Sequence, residues 1–292
     1  MIQRLLFLLL VLVSTLSVSA QDKKIGYGFR AGLSYSKFSG PSEIGPNGED
    51  LESFSNDKGF HIGASFSYKF TDLVGVRAEF MYSQRGSNIN YDGPSYYVVG
   101  RDLFPYTLKG TRQQKLNVNN TFIDIPVMLY YKFGKLEIFG GLNTGFLIGS
   151  TGAGSVRIED VTNGTLTPDP FLGLTLDYNF KKDKAGGASV ERTTLYVNGL
   201  PFSEPSSLGA YYEFDERDKM QYKTLDFGLV GGASLYFNEG LFVSWRYIYG
   251  LGDVDRNDYD ISLQTLNSDN THVHRADNNR SLSMQFSVGF SF

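Results

Sequence analysis

Large apolar side chains recur at every second position through much of this chain, with small or polar residues between them. From Ser281 to Phe292 the alternation has no fault. Leu282, Met284, Phe286, Val288, Phe290 and Phe292 share one face, and Ser281, Ser283, Gln285, Ser287, Gly289 and Ser291 share the other. Successive side chains of a β-strand point to opposite faces, so a period of two predicts strands with one greasy and one small polar face. The pattern also runs over 25–38, where Tyr27, Phe29, Ala31, Leu33 and Tyr35 are the apolar members, and over 60–70 and 76–82, joined by a tight turn at 71–73. It returns over 123–133 and 138–148 about Gly134-Lys135, and over 225–237 and 241–249 about Asn238-Glu239-Gly240. With the terminal segment, eight strands are expected. Pro126 falls on the polar parity, where it removes a ladder hydrogen bond or marks a bulge.

Three short turns alternate with four long connections, roughly 39–57, 86–115, 150–223 and 252–280. That lopsided spacing predicts an all-β transmembrane antiparallel up-and-down β-barrel, with short periplasmic turns and long extracellular loops. Connections of this length imply strands that continue above the membrane. In the third loop, Phe171–Phe180 and Val190–Gly199, on either side of the polar stretch 181–187, read as a hairpin of its own. If those segments cross the membrane instead, the barrel has ten strands: Leu172, Leu174, Leu176 and Tyr178 alternate with Thr175, Asp177 and Asn179.

Half-buried strands of a soluble sandwich alternate in the same way. The chain's two ends favour the membrane. Met1–Ala20 carries Arg4, an apolar core from Leu5 to Leu16 and the small-residue exit Val18-Ser19-Ala20, which reads as a cleaved signal peptide and leaves 21–292 as a single barrel domain. Its apolar run falls short of the roughly 18–20 residues that a spanning helix needs. At the other end, Phe290 and Phe292 resemble the aromatic C-terminal signal that outer-membrane barrels present to the barrel assembly machinery. The location that follows is the outer membrane of a Gram-negative bacterium, with outer-membrane lipid around the greasy face.

Composition fits that class. Aromatic residues make up 15% of the chain and glycine numbers 33, while mean hydropathy is only −0.21, as expected when half of each strand is polar. Cysteine is absent, which excludes a lipidation anchor, disulfides and thiolate metal sites. The 27 basic and 31 acidic residues give a net charge of −4, which argues against nucleic acid as a partner.

Four segments carry a more specific likeness: FIDIPVMLYYKF at Phe122–Phe133, GGLNTGFLIG at Gly140–Gly149, LDFGLVGGASLYF at Leu225–Phe237 and RYIYGLGDV at Arg246–Val254. They resemble the recurring segments of the PorT-type outer-membrane β-barrel family of Bacteroidetes, an outer membrane protein beta-barrel domain. The resemblance covers most predicted strands but not the loops. It implies a barrel of that family, which includes a branch associated with type IX secretion, and hence secretion or surface proteins as partners.

An eight-stranded barrel is just wide enough for side chains to fill it. The ionisable residues on the inward parity are Arg30, Lys69, Arg77, Glu79, Arg85, Asp124, Lys132, Glu137, Asp226 and Arg246. Lys132 and Glu137 flank Gly134-Lys135 symmetrically and are expected to face each other. Opposite charges in so narrow a space must compensate one another. They form either a polar plug in place of an apolar core or a path for ions.

Evidence for other chemistry is thin. His272 and His274 form an H-x-H near Asp269 and Asp277, a pattern compatible with a metal or with an Asp/His couple that activates water, but one that a solvated loop also produces. His61 is the third histidine. There is no nucleophile elbow, phosphate loop or H-E-x-x-H. Tyr68, Tyr82, Tyr130, Tyr131, Trp245, Tyr247 and Tyr249 suit membrane-interface anchoring or sugar stacking. Tyr211–Glu216 suits a docking surface or a disordered loop. The reading that results is a non-enzymatic barrel with a filled lumen, without cofactor or metal, acting through extracellular loops or partner contacts. The alternatives are a narrow channel or porin for small solutes and, more distantly, an outer-membrane hydrolase built on His272 and His274.

Overall fold

The structure is a computed structural model that describes residues 24–100, 105–181, 192–209, 220–256 and 260–292. The expected signal peptide, most of the polar stretch 181–187 and the segment Tyr211–Glu216 lie outside the described residues. Along the chain the strands are β1 (Ile25–Ser39), β2 (Glu52–Lys69), β3 (Val74–Val99), β4 (Tyr106–Phe133), β5 (Leu136–Glu159), β6 (Leu166–Thr167), β7 (Leu172–Tyr178) and β8 (Arg192–Val197). They continue as β9 (Leu200–Pro205), β10 (Ser207–Leu208), β11 (Leu225–Tyr236), β12 (Leu241–Gly250), β13 (Ile261–Leu266), β14 (His272–His274) and β15 (Arg280–Ser291).

Eight of these close a ring in the order β1, β2, β3, β4, β5, β11, β12, β15, each antiparallel to its neighbours. The ring is sealed by β15 against β1, from Gly28↔Ser291 to Ser39↔Arg280. The β4–β5 turn has two residues, and Gly134 takes φ +58°, a left-handed conformation that glycine adopts without steric cost. Opposite Pro126 the β3–β4 partners lapse between Ala78↔Val127 and Met81↔Asp124 and resume in the same register. Proline therefore interrupts the ladder locally without a bulge.

In the lower half of the ring the greasy parity faces outward and is exposed, as with Phe29, Leu33, Phe66, Leu129, Leu142 and Val288. This band meets lipid. Higher up, the same strands invert. Along β4 the outward residues change from Ile125, Val127 and Leu129 to Lys115, Asn117 and Asn119, while the inward ones change from Asp124 to Leu116 and Val118. Below the inversion the outside must be apolar; above it, water surrounds the wall and the interior becomes the apolar side. Two bulges change parity near this boundary, one in β2 between Asn56 and His61 and one between β4 and β5 at Thr121/Phe122.

The projecting ends of β3, β4 and β5 carry an apolar core of their own, which includes Phe38, Leu116, Val118, Phe122, Leu147, Val156, Ile158 and Tyr222. Strand β7 joins it by pairing with the upper part of β5, from Gly152↔Tyr178 to Ile158↔Leu172. Leu172, Leu174, Leu176 and Tyr178 are all buried there. Their greasy face meets protein and not lipid, so β7 does not cross the membrane and the ring keeps eight strands. The expected hairpin also changes partners. β8 pairs with β9 and β6, whereas β7 pairs with β5 and, in parallel, with β10.

Candidate functional site in the barrel lumen

All eight ring strands contribute to a buried polar network inside the lower barrel, β2 through His61. The wall formed by β1 and β15 is thin, because its inward residues are mostly glycine and serine. That leaves room for long side chains. Arg30 stands on β1; Arg77, Glu79 and Arg85 on β3; Asp124 on β4; Glu137 on β5; Asp226 on β11; Arg246 on β12; and Gln285 on β15. All are buried. Strand β3 is the hub, since alternation places its three charges on one face at three heights.

At the periplasmic level, Arg77 donates to both oxygens of Glu137, Nη1 to Oε1 at 2.8 Å and Nη2 to Oε2 at 2.7 Å. Tyr236 adds a hydroxyl bond to Glu137 Oε2 at 3.2 Å, and the Arg77 guanidinium lies 5.0 Å from the Tyr130 ring centre. At mid-height, Glu79 bridges Arg30 at 3.2 Å and Arg246 at 2.6 Å. Since β3 and β12 are four places apart in a ring of eight, this last pair spans the lumen. Arg246 Nε also donates to Gln285 Oε1 at 2.6 Å. His61 sits nearby between Ser34 Oγ at 3.1 Å and Ser287 Oγ at 2.7 Å. At the upper level, Arg85 bridges Asp124 at 2.8 Å and Asp226 at 2.9 Å, beneath the Phe122 ring at 4.2 Å.

Four arginines, Arg30, Arg77, Arg85 and Arg246, thus meet four carboxylates, Glu79, Asp124, Glu137 and Asp226, through direct ion pairs. A charge held away from water is tolerable only in such a paired and hydrogen-bonded arrangement. Two sequence-assigned lumen residues stand apart. Lys69 is exposed at the turn end of β2. Lys132 is half-buried and in register with Glu137, but the carboxylate belongs to Arg77 and the lysine Nζ lies 3.9 Å from the Tyr236 ring centre. Gln285, His61 and Tyr236 complete the network; each lies on the inward parity, which is the signal that could have added them.

The tyrosines and tryptophan divide between faces: Tyr68, Tyr131, Trp245, Tyr247 and Tyr249 are exposed on the outer wall, whereas Tyr130 is buried in the lumen. The H-x-H residues also differ from each other. His272 is buried with its ring centre 6.2 Å from that of Tyr96, and His274 is exposed. Asp269 accepts from Thr271, and Asp277 pairs with Arg275. Among the described residues no group of three or more His, Cys, Asp or Glu is arranged to hold a metal.

A second polar cluster lies above the membrane. Burial pushes the Asp255 carboxyl up to about 8, with the nearby Asp253 and Asp260 carboxylates adding to the rise. Burial likewise raises Asp260 to about 7 against the opposing pull of Arg275. Tyr222, buried between them, is raised for the same reason, since both carboxylates disfavour a phenolate. Arg275 is held in the charged form by Glu52, to which its Nη1 donates at 2.7 Å.

A barrel with an apolar outer band, a paired lumen and projecting strands can be compared with known proteins. The family model of the outer membrane protein beta-barrel domain matches residues 19–256. The chain belongs to that family. This member of the outer membrane protein beta-barrel domain family resides in the outer membrane of a Gram-negative bacterium. Among curated proteins none matches its sequence. Similar solved structures include Ail, the attachment invasion locus protein of Yersinia pestis, in complex with the heparin analogue sucrose octasulfate. It shares 10% identity, covers 92% of this chain and 99% of its own, and gives a TM-score of 0.35. OprG of Pseudomonas aeruginosa shares 13% identity over 91% of this chain and 95% of its own, with a TM-score of 0.31. The outer membrane protease OmpT of Escherichia coli shares 9% identity over 95% of this chain and 99% of its own, with a TM-score of 0.28.

Proposed function

We propose that this family member is a non-enzymatic, non-conducting barrel whose work is done by its extracellular superstructure. One observation carries the reading: the inward side chains that would have to line a pore are tied to one another across the lumen, with Glu79 joining Arg30 on β1 to Arg246 on β12. Above them the core around Phe122, Leu147 and Tyr222 caps the barrel. A solute would have to break buried ion pairs and displace packed aromatic rings. The separate environments of His272 and His274 speak against a hydrolase.

The surface available for recognition lies on the projecting strands. At the β8–β9 hairpin, Tyr196 and Leu200 are 42% and 64% exposed, large apolar groups placed beyond the lipid-facing band. Secretion or surface proteins as partners, and the PorT-type affiliation with its source among Bacteroidetes, belong to the same proposal and rest on the four strand segments named above. Assembly through Phe290 and Phe292 by the barrel machinery, after removal of residues 1–20, completes it. The test places a photo-crosslinking amino acid at Tyr196 or Leu200 in the native host. A discrete protein adduct from these positions, absent when the same probe replaces lipid-facing Leu129, is expected. Lipid adducts alone at all three positions would refute a role in protein contact.

A further inference from the structure

Outside the membrane, three chain segments close on one small cavity. Residues 220–223 run beside 253–256 through Lys223 N–H to Val254 O and Arg256 N–H to Gln221 O, both at 2.9 Å, and Val254 N–H to Asn279 O at 2.7 Å adds the third segment. The cavity beside them measures about 100 Å³; Gln221, Asp255, Asp260 and Asn279 form a polar part of its lining, and apolar side chains of the cap such as Phe54 and Leu116 line the rest. Each of these four carries a buried side-chain oxygen that no donor reaches: Gln221 Oε1, Asp255 Oδ1, Asp260 Oδ2 and Asn279 Oδ1. In the lumen, by contrast, the buried atoms without hydrogen bonds include donors such as Arg85 Nε and Gln285 Nε2 as well as acceptors. A set made up of oxygens alone asks for something positive.

Two neighbouring basic groups, Arg275 and Lys223, are already committed. Arg275 also lines the cavity, but it donates to Glu52 Oε2 at 2.7 Å and to Pro41 O at 3.3 Å, and it pairs with Asp277. Lys223 holds Asp253 at 2.8 Å. Among the described residues, neither Asp255 nor Asp260 forms an ion pair. Asn279, only 8% exposed, is fixed by its amide nitrogen, which donates to Asp255 Oδ2 at 3.2 Å. Asp253 is anchored from the other side by the Asn279 backbone N–H at 3.0 Å.

We propose that this cavity is a calcium site, with Asp255, Asp260, Gln221 and Asn279 supplying the protein oxygens and water completing the shell. Calcium accepts six to eight hard oxygens, mixes carboxylate with amide oxygen, and tolerates irregular geometry. No sulfur or imidazole belongs to the set, which disfavours zinc and copper. A cavity of about 100 Å³ accommodates an ion with a few waters, each of which occupies about 30 Å³ in the liquid. The bound ion ties three separate segments of the extracellular cap together beside Tyr222. The proposal stands whether or not the barrel conducts.

The experiment is equilibrium dialysis of the full chain, folded in detergent and stripped of metal, against radioactive calcium. One saturable ion per chain is expected, with a Kd on the order of 10⁻⁴–10⁻³ M, the range of extracellular calcium modules. Asp255→Asn and Asp260→Asn keep the side-chain volume and are expected to weaken binding by about 10-fold or more, as loss of a charged ligand implies. Asp269→Asn, on an exposed loop outside the cavity, leaves it unchanged. Absence of saturable binding to the wild type, or undiminished binding in the Asp255→Asn/Asp260→Asn double variant, overturns the proposal. Should the cavity variants fail to fold, wild-type crystals soaked in terbium decide: anomalous density among the four oxygens supports the site, and density elsewhere or none refutes it.

Discussion

Replacing Glu79 by glutamine probes the lumen at the point where most depends on one side chain. Glu79 is the acid shared by Arg30 and Arg246, and all three side chains are at most 2% exposed. Glutamine preserves the shape and one acceptor but leaves two guanidiniums without their countercharge. Removing one member of a buried pair costs about 3–5 kcal/mol. The retained acceptor places Glu79→Gln near the lower end, about 3 kcal/mol, because a hydrogen bond from a guanidinium to the amide oxygen survives where an ion pair stood. If water filled the lumen, the same change would cost about 1 kcal/mol or less, as exposed pairs do. The assay is denaturant unfolding from lipid vesicles, followed through Trp245. It is the only tryptophan, it faces outward, and it neighbours Arg246 in sequence. With an unchanged slope, the midpoint shift reports the free-energy loss directly. Adding Arg246→Met removes a surplus cation, so the double variant is expected to lose less than the sum of the single losses, by about 1.5 kcal/mol or more. A single-variant loss below about 1 kcal/mol together with additive behaviour would refute the dry, paired lumen.

The other expectations concern the cap, the packing around Arg85 and the C-terminus. Leu176→Asp buries an unpaired carboxylate in the extracellular core and should open the cap to protease digestion, whereas Thr175→Asn on the exposed face of β7 should stay within about 0.5 kcal/mol of wild type; equal protease resistance in both would place β7 wrongly. A Cβ at Gly145 would stand 2.7 Å from both Arg85 Nη2 and Asp124 Oδ1, so Gly145→Val should destabilise unfolding midpoints by about 1–3 kcal/mol through overpacking. An unchanged midpoint would show that the pair has room to move. Phe292, 67% exposed and with its ring centre 4.9 Å from that of Phe290, has little packing to lose. Phe292→Ser should therefore lower the amount of folded barrel in cells while leaving the in vitro midpoint nearly unaltered; normal cellular levels would remove the assembly role.

The ring strands were legible because lipid outside and polar side chains inside impose a period of two that few other arrangements sustain at this length. The lumen charges followed from parity, since Arg30, Glu79 and Arg246 sit on the small polar faces of their strands. Their partners did not follow. Lys132 is in register with Glu137, yet Arg77, two strands away in the ring, holds the carboxylate, because barrel curvature and side-chain length decide who meets inside. Alternation was also silent about what a greasy face touches: Leu172, Leu174, Leu176 and Tyr178 suit lipid or protein equally well, and β7 chose the cap. The Thr121/Phe122 bulge exchanges the parity of β5 and is invisible to a strict period. The cavity oxygens come from residues 221, 255, 260 and 279, whose polar loops show no periodicity.

Whether the lumen is closed is decided most directly by recording the wild-type protein in planar lipid bilayers. The account predicts insertion without unitary current steps over a range of salts, because ion pairs and packed rings occupy the path that ions would take. Steady, reproducible single-channel steps from the pure folded barrel would contradict it and make the same arginines and carboxylates the lining of a pore.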